Sequence, residues 1–110
     1  MAAAFDHALV ELAAVPGDRL SDAGALSALL VAAAGAVGMP PHAPPVVGRA
    51  MGTLTVGLLC REGHIVLHAA PADGFCVIDI VARAPAPVAK GIEVIRRRLE
   101  ARPERSGGSP

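Results

Sequence analysis

The segment that decides the fold spans residues 52–82 and reads GTLTVGLLCREGHIVLHAAPADGFCVIDIVA. It contains three apolar runs that are rich in β-branched side chains, at residues 52–60, 64–70 and 75–82. Two short turn signals separate these runs, Arg61-Glu62-Gly63 and the Pro- and Gly-containing residues 71–74. Strands that follow one another through such short connections pair antiparallel, so the segment predicts three consecutive strands of one sheet.

Further elements are predicted on both sides of this segment. In chain order they are a strand at 7–14, a helix at 22–38, a proline-rich loop at 39–45, a short extended piece at 46–47 and, after the three strands, a helix at 88–101. Ser21 or Asp22 can cap the first helix, and Gly38 is suited to end it. The order is therefore β-α-β-β-β-β-α.

This order predicts an α+β fold, a two-layer sandwich with a mainly antiparallel sheet and both helices on one face. We predict one domain over residues 1–102 and a disordered polar tail at 103–110. The second face of the sheet is left for a partner, a ligand or solvent. Because 53% of the residues are hydrophobic, solvent is the least favourable cover, and we expect a homodimer.

Length and charge exclude several classes of protein. The length of 110 residues suits one domain. Ten basic and ten acidic side chains give a net charge of zero, so no excess positive charge attracts nucleic acid or an anionic membrane. The uncharged run at 23–48 contains too many prolines to form a helix that spans a bilayer. Acidic residues interrupt the apolar N-terminus, so no signal peptide is expected. Two cysteines, Cys60 and Cys76, suit a reducing compartment, and we expect a cytoplasmic protein.

Polar side chains within the predicted strands are the first candidates for chemistry. His64 and His68 lie four residues apart on one strand, so they share a face but stand about 13 Å apart, too far to bind one metal ion. Asp79 lies among apolar residues, where a carboxylate needs partners; an inward structural hydrogen bond and a role in a site both remain open. No zinc-ligand spacing or phosphate loop is present, so we predict no metal site.

Residues 62–79, EGHIVLHAAPADGFCVID, resemble the bacterial and archaeal S-adenosylmethionine decarboxylase proenzyme family. That family reads E-S-H-[LI]-[ST]-I-H-T-W-P-E-x-G-[YF]-A-A-[VI]-D over the same stretch without a gap. The resemblance extends from about His7 to Arg102, and His7 and Glu11 match an early histidine and acidic residue of the family. It implies the decarboxylase fold and a place in polyamine biosynthesis.

The resemblance also implies roles for individual residues, and it exposes two departures. In the family, the peptide bond between the glutamate and the serine cleaves itself, and the serine becomes a pyruvoyl group that accepts electrons during decarboxylation. Here Gly63 follows Glu62, and glycine has no hydroxyl, so we expect neither a pyruvoyl group nor another cofactor. His68 matches a histidine that assists processing, Thr55 matches a serine of the site, and Arg83 replaces the catalytic cysteine.

Two functions remain open at this point. One is a non-pyruvoyl paralogue that binds a small amino-acid-like or S-adenosylmethionine-like ligand, or that acts as a regulatory partner. The other is a repurposed cofactor-independent lyase or isomerase, for example of specialised metabolism, that performs acid–base chemistry on a carboxylate-bearing substrate. A true decarboxylase would need a ketone that the sequence does not supply.

The candidate site residues follow from these hypotheses. The candidate catalytic residues are His68, Thr55, Glu62 and Arg83, and the candidate ligand-binding residues are His64, His7 and Glu11. We expect His68 and Thr55 to border one cavity, with Glu62 or Arg83 at its rim.

Overall fold

The computed structural model describes residues 4–100. The strands are β1 (Phe5–Leu12), β2 (Val46–Ala50), β3 (Thr53–Cys60), β4 (Gly63–Ala70) and β5 (Phe75–Arg83). The helices are α1 (Gly17–Leu20), α2 (Ala23–Val37) and α3 (Val88–Glu100), and a short 3-10 helix covers Pro71–Asp73. The predicted tail at 103–110 lies outside the described residues.

The five strands form one sheet in the order β1-β5-β4-β3-β2, and every neighbouring pair is antiparallel. The three central strands pair consecutively, as their short turns predict. β1, the first strand of the chain, pairs with β5, the last strand, and forms one edge of the sheet. β2 forms the other edge. The predicted α+β sandwich with an antiparallel sheet is confirmed.

One face of the sheet carries the core. Alternate residues of β3, β4 and β5 are buried against α2 and α3, including Val56, Leu67 and Ile78, each with no exposed surface. Gly91 lets α3 approach closely, because a Cβ there would lie 2.7 Å from Cγ2 of Val37 and 3.0 Å from Cδ1 of Ile80. The helices and this inner face thus form the two layers.

The ends of α2 lie close to their predicted positions. The carboxylate of Asp22 accepts a hydrogen bond from the Ala25 amide at 3.0 Å, and Gly38 adopts a left-handed conformation with φ 89°. The amide of Gly38 donates to the carbonyl of Ala34, which closes the last turn. Both caps were readable from the sequence because they act within one helical turn.

Two local predictions need correction. The first strand runs over Phe5–Leu12 and not over 7–14, because its register with β5 begins at Phe5 and Arg83 and ends at Leu12 and Cys76. The helix α1 was not predicted, since its four residues are too few to show a helical period. Within residues 4–100 the structure contains no helix that is long and apolar enough to cross a membrane.

We predict that Asp22→Ala lowers the free energy of unfolding by about 1 kcal/mol, because the first turn of α2 loses its side-chain cap. In a domain of this size, that loss corresponds to a melting temperature lower by roughly 4–8 °C, which circular dichroism can follow. Asp22→Asn, which retains an acceptor oxygen, is the matched control and should melt close to the parent. Equal melting of the alanine variant and the parent would contradict the assigned cap.

Candidate functional site

The sheet face opposite the helices carries most of the candidate residues. We call this surface the open face. It is formed by the outward positions of the strands: Phe5, His7, Leu9, Glu11, Val46, Thr55, Leu59, His64, Val66, His68, Val77, Asp79 and Val81. Strand alternation places them there, because their sequence neighbours in the central strands point into the core.

Three strands bring a carboxylate between two histidines at the centre of this face. Nε2 of His7 on β1 lies 2.7 Å from Oδ1 of Asp79 on β5, and Nε2 of His64 on β4 lies 3.5 Å from Oδ2 of the same carboxylate. The Asp79 side chain is 33% exposed, so it is accessible to a ligand. Among residues 4–100, the contacts of these two histidines use Nε2, and Nδ1 of neither ring has a hydrogen-bond partner.

The position of Asp79 removes one of the two alternatives that the sequence left open. Ile78 and Ile80 on either side are fully buried, and alternation therefore turns Asp79 outward. The alternative of an inward structural hydrogen bond is wrong. Asp79 belongs to the histidine cluster, although its partner His7 is 72 residues away in sequence.

A second polar contact lies further along the same strands. Thr55 on β3 stands directly opposite His68 on β4, and Oγ1 of Thr55 lies 3.0 Å from Nδ1 of His68. Glu11 on β1 occupies the same row of the sheet, since Glu11 pairs with Val77 and Val77 pairs with His68. Two strand spacings separate Glu11 from His68, about 10 Å.

Glu62 and Arg83 lie at the opposite end of the sheet. The amide of Arg83 donates to the carbonyl of Glu62 at 3.1 Å, and the Arg83 guanidinium lies 5.9 Å from the ring centre of Phe5. Arg83 lies six positions after Val77, the partner of His68, along β5, so the two pairs are about 20 Å apart. The expectation that they share one cavity within a chain is therefore wrong.

A cavity of about 640 Å³ adjoins Glu62 and Arg83, and we call it the end cavity. The end of α2, the loop at 39–42, the turn between β3 and β4 and the end of β5 surround it. Cys60 lines this cavity, and burial raises the pKa of its thiol by desolvation. The other polar residues of the cavity, His42 and Arg61, lie in a loop and a turn without a recognisable sequence pattern, so no motif pointed to them.

The surroundings of Gly63 leave no room for a side chain. A Cβ at this residue would lie 2.2 Å from the Val81 carbonyl oxygen, 2.7 Å from the Met39 sulfur and 3.1 Å from the Cα of Ala82. The strand continues through this point, since Gly63 pairs with Cys60 on one side and with Ala82 on the other. An L side chain at this residue would require movement of the β5 backbone as well as of the Met39 side chain.

The sequence profile of S-adenosylmethionine decarboxylase matches residues 6–106. The fold is similar to that in the crystal structure of the adenosylmethionine decarboxylase from Aquifex aeolicus VF5, with a TM-score of 0.75 and 20% sequence identity over 86% of this chain and 78% of that one. A search of curated proteins gave no match. The profile spans nearly the whole chain, and the protein belongs to the S-adenosylmethionine decarboxylase family.

Proposed function

We propose that this family member does not process itself and works as an intact, non-pyruvoyl protein that binds a small amino-acid-like or S-adenosylmethionine-like ligand and has a regulatory role in polyamine biosynthesis. The observation that carries the proposal is the packing around Gly63, where the Val81 carbonyl and the Met39 sulfur occupy the space of a side chain. The cytoplasm, where thiols such as Cys60 stay reduced, is the proposed compartment.

The chemistry of self-cleavage supports this proposal. The reaction needs a side-chain nucleophile on the residue that follows the scissile bond, and Gly63 has none. The nearest thiol along the chain, Cys60, is buried, and its raised pKa keeps it in the poorly nucleophilic protonated form. The Glu62 carbonyl, which would be attacked, accepts the Arg83 amide within the sheet.

We predict that the purified protein is a single species near 11.1 kDa, apart from loss of Met1, and that cyanoborohydride with an amine adds no mass. Gly63→Ser should be cleaved slowly or partially at best, because Arg83 stands in place of the family's cysteine. Its Cβ also meets backbone atoms and not only a flexible side chain. The same overpacking should destabilise the variant by about 1–3 kcal/mol. Intact-mass spectrometry and thermal melting measure the two effects.

Gly63→Ala is the matched control, since it adds the Cβ without the hydroxyl. Both variants should lose similar stability if packing is the cause. Two fragments that meet at residues 62 and 63, in the parent protein, would overturn the proposed function. Efficient cleavage of Gly63→Ser alone would show that the ancestral processing site is intact and that only the serine is missing.

The homodimer is part of this proposal, and the open face is its interface. Leu9, Val46 and Leu59 are 62%, 65% and 58% exposed on this face, although they are large apolar side chains. Strand rise and strand spacing give the open face a flat area of roughly 600 Å², and protruding side chains add to this area. A standard interface buries roughly 800 Å² on each partner, so the open face is large enough to form most of one. Two such sheets stack about 10 Å apart.

A face-to-face dimer would also explain the separation of the candidate residues. Suppose that the two-fold axis lies in the plane between the two sheets and is perpendicular to the strands. Each end of one sheet then faces the opposite end of the partner sheet. Thr55 and His68 of one protomer then approach Glu62 and Arg83 of the other. The four candidate catalytic residues would form one site from two chains.

We predict a dimer by light scattering at micromolar concentration and a shift toward monomer in Leu9→Glu, because a charge would be buried in the interface. Val31→Glu is the matched control, since Val31 is an exposed apolar residue of α2 outside the open face. A monomeric parent protein, or equal effects of the two substitutions, would contradict the open face as interface.

The cluster of His7, Asp79 and His64 favours a second candidate, a repurposed cofactor-independent enzyme. A carboxylate that accepts a hydrogen bond from an imidazole fixes the orientation and tautomer of the ring and leaves the other ring nitrogen as an acceptor, as an acid–base catalyst requires. If the protein converts a carboxylate-bearing small molecule, Asp79→Asn should slow that reaction by about 100-fold or more and leave the melting temperature near that of the parent. Turnover that survives this substitution would remove the cluster from the reaction.

A further inference from the structure

The two edges of the sheet differ in how they are protected against pairing with another strand. β2 at one edge has five residues, follows Pro44 and Pro45, and carries Arg49. Short length, proline and charge are features that keep an edge strand from pairing with another chain. β1 at the other edge has eight residues, contains no proline, lysine or arginine, and pairs with β5 without a bulge from Phe5 to Leu12. β1 is therefore the edge to which a further strand can be added.

The backbone of β1 offers hydrogen-bonding groups at this edge. The Ala84 amide donates to the Ala4 carbonyl at 2.9 Å, so Ala4 and Ala84 form a hydrogen-bonded pair of the ladder. Such pairs recur at every second residue of an antiparallel ladder, and the even-numbered residues of β1 therefore bond to β5. The N–H and C=O groups of His7, Leu9 and Glu11 consequently point away from β5. In the part of the chain that the structure describes, no strand lies on that side of β1.

The side chains of the same three residues determine which strand is complementary. His7, Leu9 and Glu11 all lie on the open face, and the Leu9 side chain is 62% exposed. Among the described residues, the Glu11 carboxylate has no hydrogen bond or ion pair. An added strand needs an acidic residue opposite His7, an apolar residue opposite Leu9 and a hydrogen-bond donor opposite Glu11, because directly opposite side chains contact each other across a strand pair.

A second β1 that runs in the opposite direction has this sequence. When Leu9 lies opposite the partner's Leu9, His7 lies opposite the partner's Glu11, and Glu11 lies opposite the partner's His7. These pairs consist of edge-facing residues, so each pair can exchange two backbone hydrogen bonds. A shift of two residues would place Leu9 opposite a polar side chain, and a shift of four would place identical titratable side chains opposite each other. The side chains therefore favour one register.

We propose that the outer edge of β1 binds the outer edge of β1 in a second copy of this chain, antiparallel and with Leu9 at the two-fold axis. Two five-stranded sheets then join into one continuous sheet. This contact goes beyond the proposed function, because it uses the edge of the sheet and not the open face. Its axis is perpendicular to the sheet, whereas the axis of the face-to-face dimer lies between two sheets, so both contacts can coexist in an assembly of four chains.

Residue-resolved amide hydrogen exchange of the full chain at two concentrations tests this contact. One strand pair is smaller than a standard interface, so we expect a dissociation constant near 0.1 mM. Exchange of the His7, Leu9 and Glu11 amides should then slow about fivefold between about 10 µM and about 1 mM, and the mass by light scattering should nearly double. The Val47 and Arg49 amides, which face outward at the β2 edge, are the internal control and should exchange equally at both concentrations.

Glu11→Lys is the variant that tests the register. It puts a positive charge opposite the partner's His7 and should reduce the concentration effect on the His7 and Leu9 amides to less than about twofold. Glu93→Lys makes the same change of charge at an exposed residue of α3, and it should retain the effect of the parent. Both glutamates are exposed, and thermal melting of each variant checks that folding is retained.

The outcomes separate this contact from the face-to-face dimer. Packing on the open face buries side chains but provides no acceptor in the plane of the sheet, so it leaves exchange of the edge amides unchanged. Equal exchange at the β1 and β2 edges at both concentrations overturns the edge contact. Slow exchange at the β1 edge that does not depend on concentration means that the same chain covers this edge, and it overturns a second copy as the occupant. An undiminished effect in Glu11→Lys overturns the register.

Discussion

The antiparallel register of β4 between β3 and β5 is the constraint on which the remaining structure depends. It places Thr55 opposite His68 and brings His64 near Asp79, and it directs Ile65 and Leu67 into the core. A shift of one residue would exchange the two faces and bury both histidines. The apolar alternation of the strands and the short turns at each end fix this register, so the core and the polar surface are set by the same pairing.

The same register explains why position 63 is incompatible with a side chain. Gly63 is the first residue of β4, and its pairing with Ala82 brings the backbone of β5 against its α-carbon. Met39, which follows the cap of α2, fills the remaining space from the helix side. The departure from the family pattern at this residue is therefore supported by its surroundings. A serine would need movement of a strand backbone and not only of a rotamer.

The polar side chains are divided between two surfaces with different physical character. The open face combines histidine, aspartate and threonine with exposed leucine and valine, a mixture suited to contact with another protein surface. The end cavity is lined by exposed charged residues, Arg61 and Glu62, and by buried apolar residues, Val37 and Met39. Glu62 and Arg83 lie where the two surfaces meet, at one end of the sheet.

The sequence by itself determined the three central strands, the approximate ends of α2, the separation of His64 from His68 and the family, because each depends on local periodicity or on one contiguous motif. It also placed Asp79 within a strand, and strict alternation would have shown that the side chain points outward. Only the tertiary structure decided that His7 meets Asp79, that Thr55 and His68 lie about 20 Å from Glu62 and Arg83, and that Met39 closes the space at Gly63. These contacts join residues far apart in the chain, and their positions follow from the pairing of β1 with β5 and the docking of α2, which no local pattern specifies.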